Sequence, residues 1–277
     1  MIRFAYILMS FGLLALSVDS AESQEFTAET DLTYADIADL ALSAPVVAIA
    51  RIDRARRLDE ERAIGVAPNH VRFYVEAELA TLIRSAEGVP ARVSYLVDVP
   101  RDSDGRRPRI RDRQVILLAA PVPGRRGELQ LIAPDAQIDW SQHREQVVRA
   151  ILSEAASDDA PGTVTGVGST FSVPGTLPGE SETQIFLATS DGRPVSLSIL
   201  RRPNQEPRWS VSLGEIVERA SPPPERNTIL WYRLACFLPD SLPDASLENM
   251  DNRQISVARA DYRLVREDLG ICQRKRS

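Results

Sequence analysis

Three residue types of a nucleophilic hydrolase stand close together at Asp139, Ser141 and His143, where a carboxylate, a hydroxyl and an imidazole could pass a proton between them. Their spacing argues against it. Two residues apart at the start of a helix, they point in different directions and cannot line up as orienter, nucleophile and base, so capping and surface roles are expected. Glu180 and Glu182 form a second pair with catalytic potential. In an extended segment alternate residues share a face about 7 Å apart, which suits an acid and base in a carboxylate-dependent hydrolase, but no neighbouring residues identify a substrate. A non-catalytic reading groups Glu180, Glu182, Arg201, Arg202 and Trp209 into a recognition surface, because arginine and tryptophan make strong contact anchors. Against both stands the plainer expectation of exposed hairpin ends with Trp209 in the core.

Other motifs exclude more than they assign. The turn from Asp98 to Gly105 has the carboxylates of a calcium loop, yet taking Gly105 as the sixth position puts Pro100 first and Arg111 twelfth, where carboxylates are required. With Arg101, Arg106, Arg107 and Arg109 beside it, a salt-bridged exposed loop is expected and no metal. Gly166 and Gly168 fail the dinucleotide fingerprint at its last glycine, and Gly179-Glu-Ser181-Glu-Thr183 is not a nucleophile elbow. Of 33 basic residues only Lys275 is a lysine, and it lies in a tail expected to be solvated and mobile. P-loop, Ser-x-x-Lys and Schiff-base chemistries therefore drop out, and no cofactor is expected.

The start of the chain gives an address. Arg3 precedes an apolar run over 4–18 and a polar stretch from Asp19, the proportions of a cleaved secretory signal ending near residue 20, with an uncleaved anchor as the alternative. The mature chain is then expected to be exported, periplasmic or secreted, soluble and without a membrane span. Its two cysteines, Cys236 and Cys272, would meet an oxidising compartment and are expected to form a disulfide. The net charge of −6, with both signs interspersed, disfavours nucleic acid.

The elements that would position these residues fall into two groups. Strands are predicted over 45–52, 71–79, 93–99, 115–119 and 129–133, the second with Val71, Phe73, Val75 and Ala77 alternating against Arg72, Tyr74 and Glu76. Ser141 caps a helix running to about 156, after which 157–162 is a linker. Beyond it, strands at 183–189 and 194–200 flank the hairpin signal Ser190-Asp-Gly-Arg193, Trp209, Val211 and Leu213 alternate in a third strand, and helices are expected at 215–220 and 261–269. The run 229–238 is ambiguous, its aromatics favouring a strand. The predicted fold class is α+β, an N-terminal small β-barrel followed by a β-rich α+β domain. The boundaries are 1–20 for the signal, 31–140, 141–160, 161–272 and a tail at 273–277.

The order and spacing of the first five strands resemble the OB-type barrels of netrin and tissue-inhibitor-of-metalloproteinase domains over about 40–140. Those families use cysteines that this half lacks, so inhibitor function does not carry over. The segments 173–187 (Val-Pro-Gly-Thr-Leu-Pro-Gly-Glu-Ser-Glu-Thr-Gln-Ile-Phe-Leu) and 231–239 (Trp-Tyr-Arg-Leu-Ala-Cys-Phe-Leu-Pro) resemble uncharacterised exported bacterial proteins. That resemblance implies a family without an active site. The expectation is a non-catalytic binding or envelope-associated protein, its partner another envelope protein or a small ligand, with the Glu180/Glu182 hydrolase as the alternative.

Overall fold

In the first half, alternation along the chain becomes sheet. A computed structural model of the protein describes residues 32–214 and 220–276; the expected signal and, but for Ala220, the helix expected at 215–220 lie outside the described residues. Strands β1 (Val46–Arg57), β2 (His70–Arg84), β3 (Arg92–Pro100), β4 (Gln114–Pro121), β5 (Leu129–Leu131) and β6 (Gln137–Asp139) form an antiparallel sheet of order β3-β2-β1-β4-β5, with β6 also on β4. Val71, Phe73, Val75 and Ala77 are buried as their spacing requires, and Val115 to Ala119 are buried throughout. Across β2 and β3 the facing pair Arg72 and Asp98 is bidentate, at 2.6 and 2.7 Å. Asp98 thus spends its carboxylate on an arginine, while Asp102 accepts from the backbone N–H groups of Asp104 and Arg106.

Neither sheet closes on itself. Of the expected class the structure has the α+β part; the first sheet stays open at β5, whose three residues meet β3 through a single parallel bridge from Glu128 to Ser94 rather than a ladder. An unforeseen helix, α1 (Tyr34–Ser43), precedes the sheet. Thr33 and Asp36 cap it reciprocally, and Ala35, Ile37, Ala38, Leu40 and Ala41 are buried. It packs on α2 (Gln142–Ala155), which Ser141 caps by accepting from the Arg144 N–H.

The second sheet has order β10-β9-β8-β7, from β7 (Val164–Pro174), β8 (Ser181–Thr189), β9 (Val195–Arg201) and β10 (Arg208–Ser212). The β8–β9 turn uses Gly192 at φ +72°, as the Asp-Gly signal demands. Edge strand β7, where no strand was expected, contains Gly166 and Gly168; two register shifts around them let it pair in spite of them.

Further along the described residues come two α-helices, α3 (Ile229–Ala235) and α4 (Asn252–Leu269), the latter packed on β7 and β8. The strand preference read at 229–238 is overturned by Thr228, which accepts from the Trp231 N–H and starts a helix, burying Ile229, Tyr232 and Leu234. Helix α4 begins earlier than residue 261, at a capping box between Asp251 and Gln254. Cys236 and Cys272 are disulfide-bonded. The tail after Cys272 is a strap rather than a free end. Asp36 accepts from the Lys275 and Arg276 N–H groups, Arg274 pairs with Asp39, and Arg276 pairs with Asp135.

Candidate functional site

The strand register sorts the five residues read as a recognition surface. Ser181 pairs with Arg201 and Thr183 with Ile199, which in turn pairs with Trp209, so Arg201 and Trp209 share the inner face of the second sheet. Glu182 pairs with Leu200 on the outer face. The set does not converge, since successive residues of a strand point to opposite sides. Trp209 is 6% exposed and its indole N–H donates to Asp268 at 2.6 Å. Arg202 is exposed at the β9–β10 turn. Glu180 precedes β8, and its carboxylate accepts from the Leu177 N–H at 3.3 Å, closing the turn next to Gly175. Glu182 is exposed and accepts from the Gln184 side chain. Asp139 faces Arg113, Ser141 caps α2 and His143 is exposed, so no triad forms.

Beneath the inner face lies a group the sequence reading missed. Asp261, fully buried on α4, accepts from Thr183 Oγ1 at 2.5 Å and from the Arg201 guanidinium. Thr183 Oγ1 is also 3.1 Å from Ser172 Oγ, and the Gln254 amide donates to the Ser172 carbonyl at 2.9 Å. A hydroxyl has one proton, so Thr183 gives its proton to the carboxylate and Ser172 must donate to Thr183. In this hydroxyl–carboxylate–guanidinium chain the hydroxyls and the carboxylate are buried and only Arg201 is partly exposed, so with no imidazole in it the chain orders side chains rather than activating a hydroxyl. Its signal in the sequence was an aspartate in the apolar stripe Ala258, Tyr262, Val265, Leu269.

A cleft of about 280 Å³ opens between the start of α1, the segment before α3 and the segment after α4. Its polar lining comes from Thr33, Arg226, Asn227 and Gln273, its apolar walls from Tyr34, Ala35, Trp231 and Ile271. Trp231 is fixed from behind, its indole N–H donating to the Leu269 carbonyl at 2.9 Å and its ring meeting Tyr34 edge-on. Arg226 lies over that ring, its guanidinium carbon 5.7 Å from the centroid. Gly270, at φ +71°, is required here by its backbone angle, which disfavours other residues; a Cβ there would stand 2.8 Å from Arg226 Nη2 and displace the guanidinium. Among the described residues no carboxylate pairs with Arg226 and none accepts a hydrogen bond from it.

Behind the cleft lie two buried phenols. Burial first, then its hydrogen bond to Asp39, pushes the Tyr232 hydroxyl well above the usual tyrosine range. Burial and the nearby Glu154 do the same for Tyr34, whose buried hydroxyl oxygen has no hydrogen-bond partner among the described residues. Both phenols stay protonated across the physiological range, so neither serves as a base. Among the described residues no cluster of histidine, cysteine and carboxylate side chains could hold a metal ion. No known protein family matches the chain, and no curated protein is similar to it.

Proposed function

We propose that the chain is an exported, non-catalytic binding or envelope-associated protein that uses the cleft beside Arg226. One observation carries this reading: an arginine without a carboxylate partner among the described residues is held over an indole at the mouth of a concave site that also has neutral donors. Cleft chemistry supports recognition better than turnover, since its lining offers no nucleophile beside a base. The hydrolase alternative loses support from position, with Glu180 spent on a turn and Glu182 on the open face of a sheet. Export rests on the signal-like start, and no described helix is long and apolar enough to cross a membrane. The finer barrel reading of 31–140 rests on the Ser94–Glu128 bridge and on the Ser94 N–H donated to the Gly127 carbonyl at 2.9 Å.

The test is native mass spectrometry of protein taken from its own compartment. A stoichiometric co-purifying mass, lost when Arg226 or Asn227 is substituted, is expected, on a chain that begins near residue 21. Bare protein that gains no thermal stability from an extract of that compartment, or an intact Met1, would count against binding or export respectively.

A further inference from the structure

Resting on that reading, the geometry points to a ligand class: we infer that the cleft takes a monocarboxylate attached to a short apolar body, with Arg226 as its anion receptor. Arg226 is exposed, yet it is placed. The Trp231 ring lies under its guanidinium, and Nη2 occupies space that a Cβ at residue 270 would crowd. With no acceptor for it among the described residues, the guanidinium keeps its N–H donors, and that planar fork matches a carboxylate in two parallel bonds. The cation–π contact with Trp231 also removes part of the ordering cost that a free arginine would meet on binding.

Charge and size narrow the class further. Arg226 is the only charged side chain in the described lining, the rest being hydroxyl, amide or apolar. One cation balances one negative charge, and a phosphate dianion would bring a second with nothing to meet it, inside a protein already at −6. The Tyr34 ring, Ala35 and Ile271, the last 78% exposed, offer an apolar wall beside the polar mouth. At about 280 Å³ the cleft suits a small acid or the last residue of a peptide, not an extended ligand.

Four probes test this on the mature chain by isothermal titration: N-acetyl-leucine, N-acetyl-leucinamide, hexanoate and a pentapeptide ending in leucine as free acid. Saturable binding of the acids and none of the amide is expected. R226Q should weaken acid binding roughly 10- to 100-fold, the range for losing hydrogen bonds to a charged group, while R226K recovers part of it, because an ammonium keeps the charge without the fork. Tighter binding of the peptide than of hexanoate assigns the ligand to a chain terminus, and the reverse to a free acid. Arg226 makes no hydrogen bond within the described protein, and an unchanged melting temperature of R226Q secures the comparison. Equal binding of acid and amide, acid binding indifferent to R226Q, or no saturable binding of any probe overturns the proposal. A co-purifying neutral or cationic ligand in this cleft would overturn it too, yet leave the binding function standing.

Discussion

Arg201 under the second sheet and Arg226 at the cleft are two arginines put to opposite uses. The first reaches a carboxylate with no exposure to solvent and closes a chain of hydrogen bonds within the core. The second has an aromatic face for support and, among the described residues, no counter-charge. A guanidinium sealed against Asp261 has its electrostatics satisfied internally and is worth stability; one held open is worth little to the fold and is available to a ligand. The contrast separates structural from recognition arginines in a chain where nearly every cation is arginine.

The sharpest way to break that contrast is to remove each in turn. Arg201→Met leaves the Asp261 carboxylate buried with Thr183 as its remaining side-chain donor, and we expect a loss of about 3 kcal/mol, near the low end for a broken buried pair because Arg201 is itself partly exposed. Adding Asp261→Leu should restore much of the stability, because no charge remains buried. Arg226→Gln should stay within about 0.5 kcal/mol of the wild type. Urea melts of the four proteins at neutral pH decide it; equal losses from Arg201 and Arg226 would erase the distinction.

Cys236–Cys272 offers a second test, of comparable size and wider reach. Its span of 36 residues is worth roughly 3 to 4 kcal/mol in the chain-entropy model. Cys272 also begins the strap that ends on Asp36, Asp39 and Asp135, so freeing it should loosen α1 together with α3 although α1 lies far away in sequence. Hydrogen exchange on Cys236→Ala is expected to lose protection in both helices. Loss confined to 161–272 would instead favour the proposed organisation into independent units, 31–140 and 161–272, and would make the strap a weak tie.

What could be read ahead of the structure follows from how local each signal is. Strand β2 announced itself because one face is wet and the other buried, which forces alternation at Val71, Phe73, Val75 and Ala77. The Ser141 cap and the Gly192 turn are equally local. Strand β7 was hidden because its glycines serve bulges and its partner β8 supplies the pairing. Helix α3 was hidden because Trp231 and Tyr232 are buried by tertiary packing, which overrides the aromatic preference for strands. Of the candidate site, Arg201 and Trp209 were visible as anchors, but the register that turns them inward depends on pairing with β8. Arg226 gave no signal, since its meaning comes from Gly270 and Trp231, which meet it only in space.

A smaller loss than those at Arg201 and the disulfide is expected at the strap, the third place where charge is used. Asp36 is 1% exposed and accepts from the backbone N–H groups of Thr33, Lys275 and Arg276 and from the Thr33 hydroxyl. Burial alone would push its carboxyl up; the donors, Arg276 and Thr33 foremost, outweigh it and hold the group below the ordinary aspartate range. A folded-state value below the unfolded one means that the stabilisation is complete above the ordinary aspartate range and is lost as pH falls through the depressed value. Asp36→Asn keeps the shape but offers one acceptor oxygen where several N–H groups converge, and its amide adds a donor facing donors. The expected cost at neutral pH is about 1 to 2 kcal/mol, the scale of a lost helix cap. Because the variant has no proton to gain there, its stability should fall less steeply with acid than that of the wild type, and the two curves should converge at the acid end. Parallel acid limbs would show that Asp36 does not carry this titration, and that the strap is held by Arg274 and Arg276 instead.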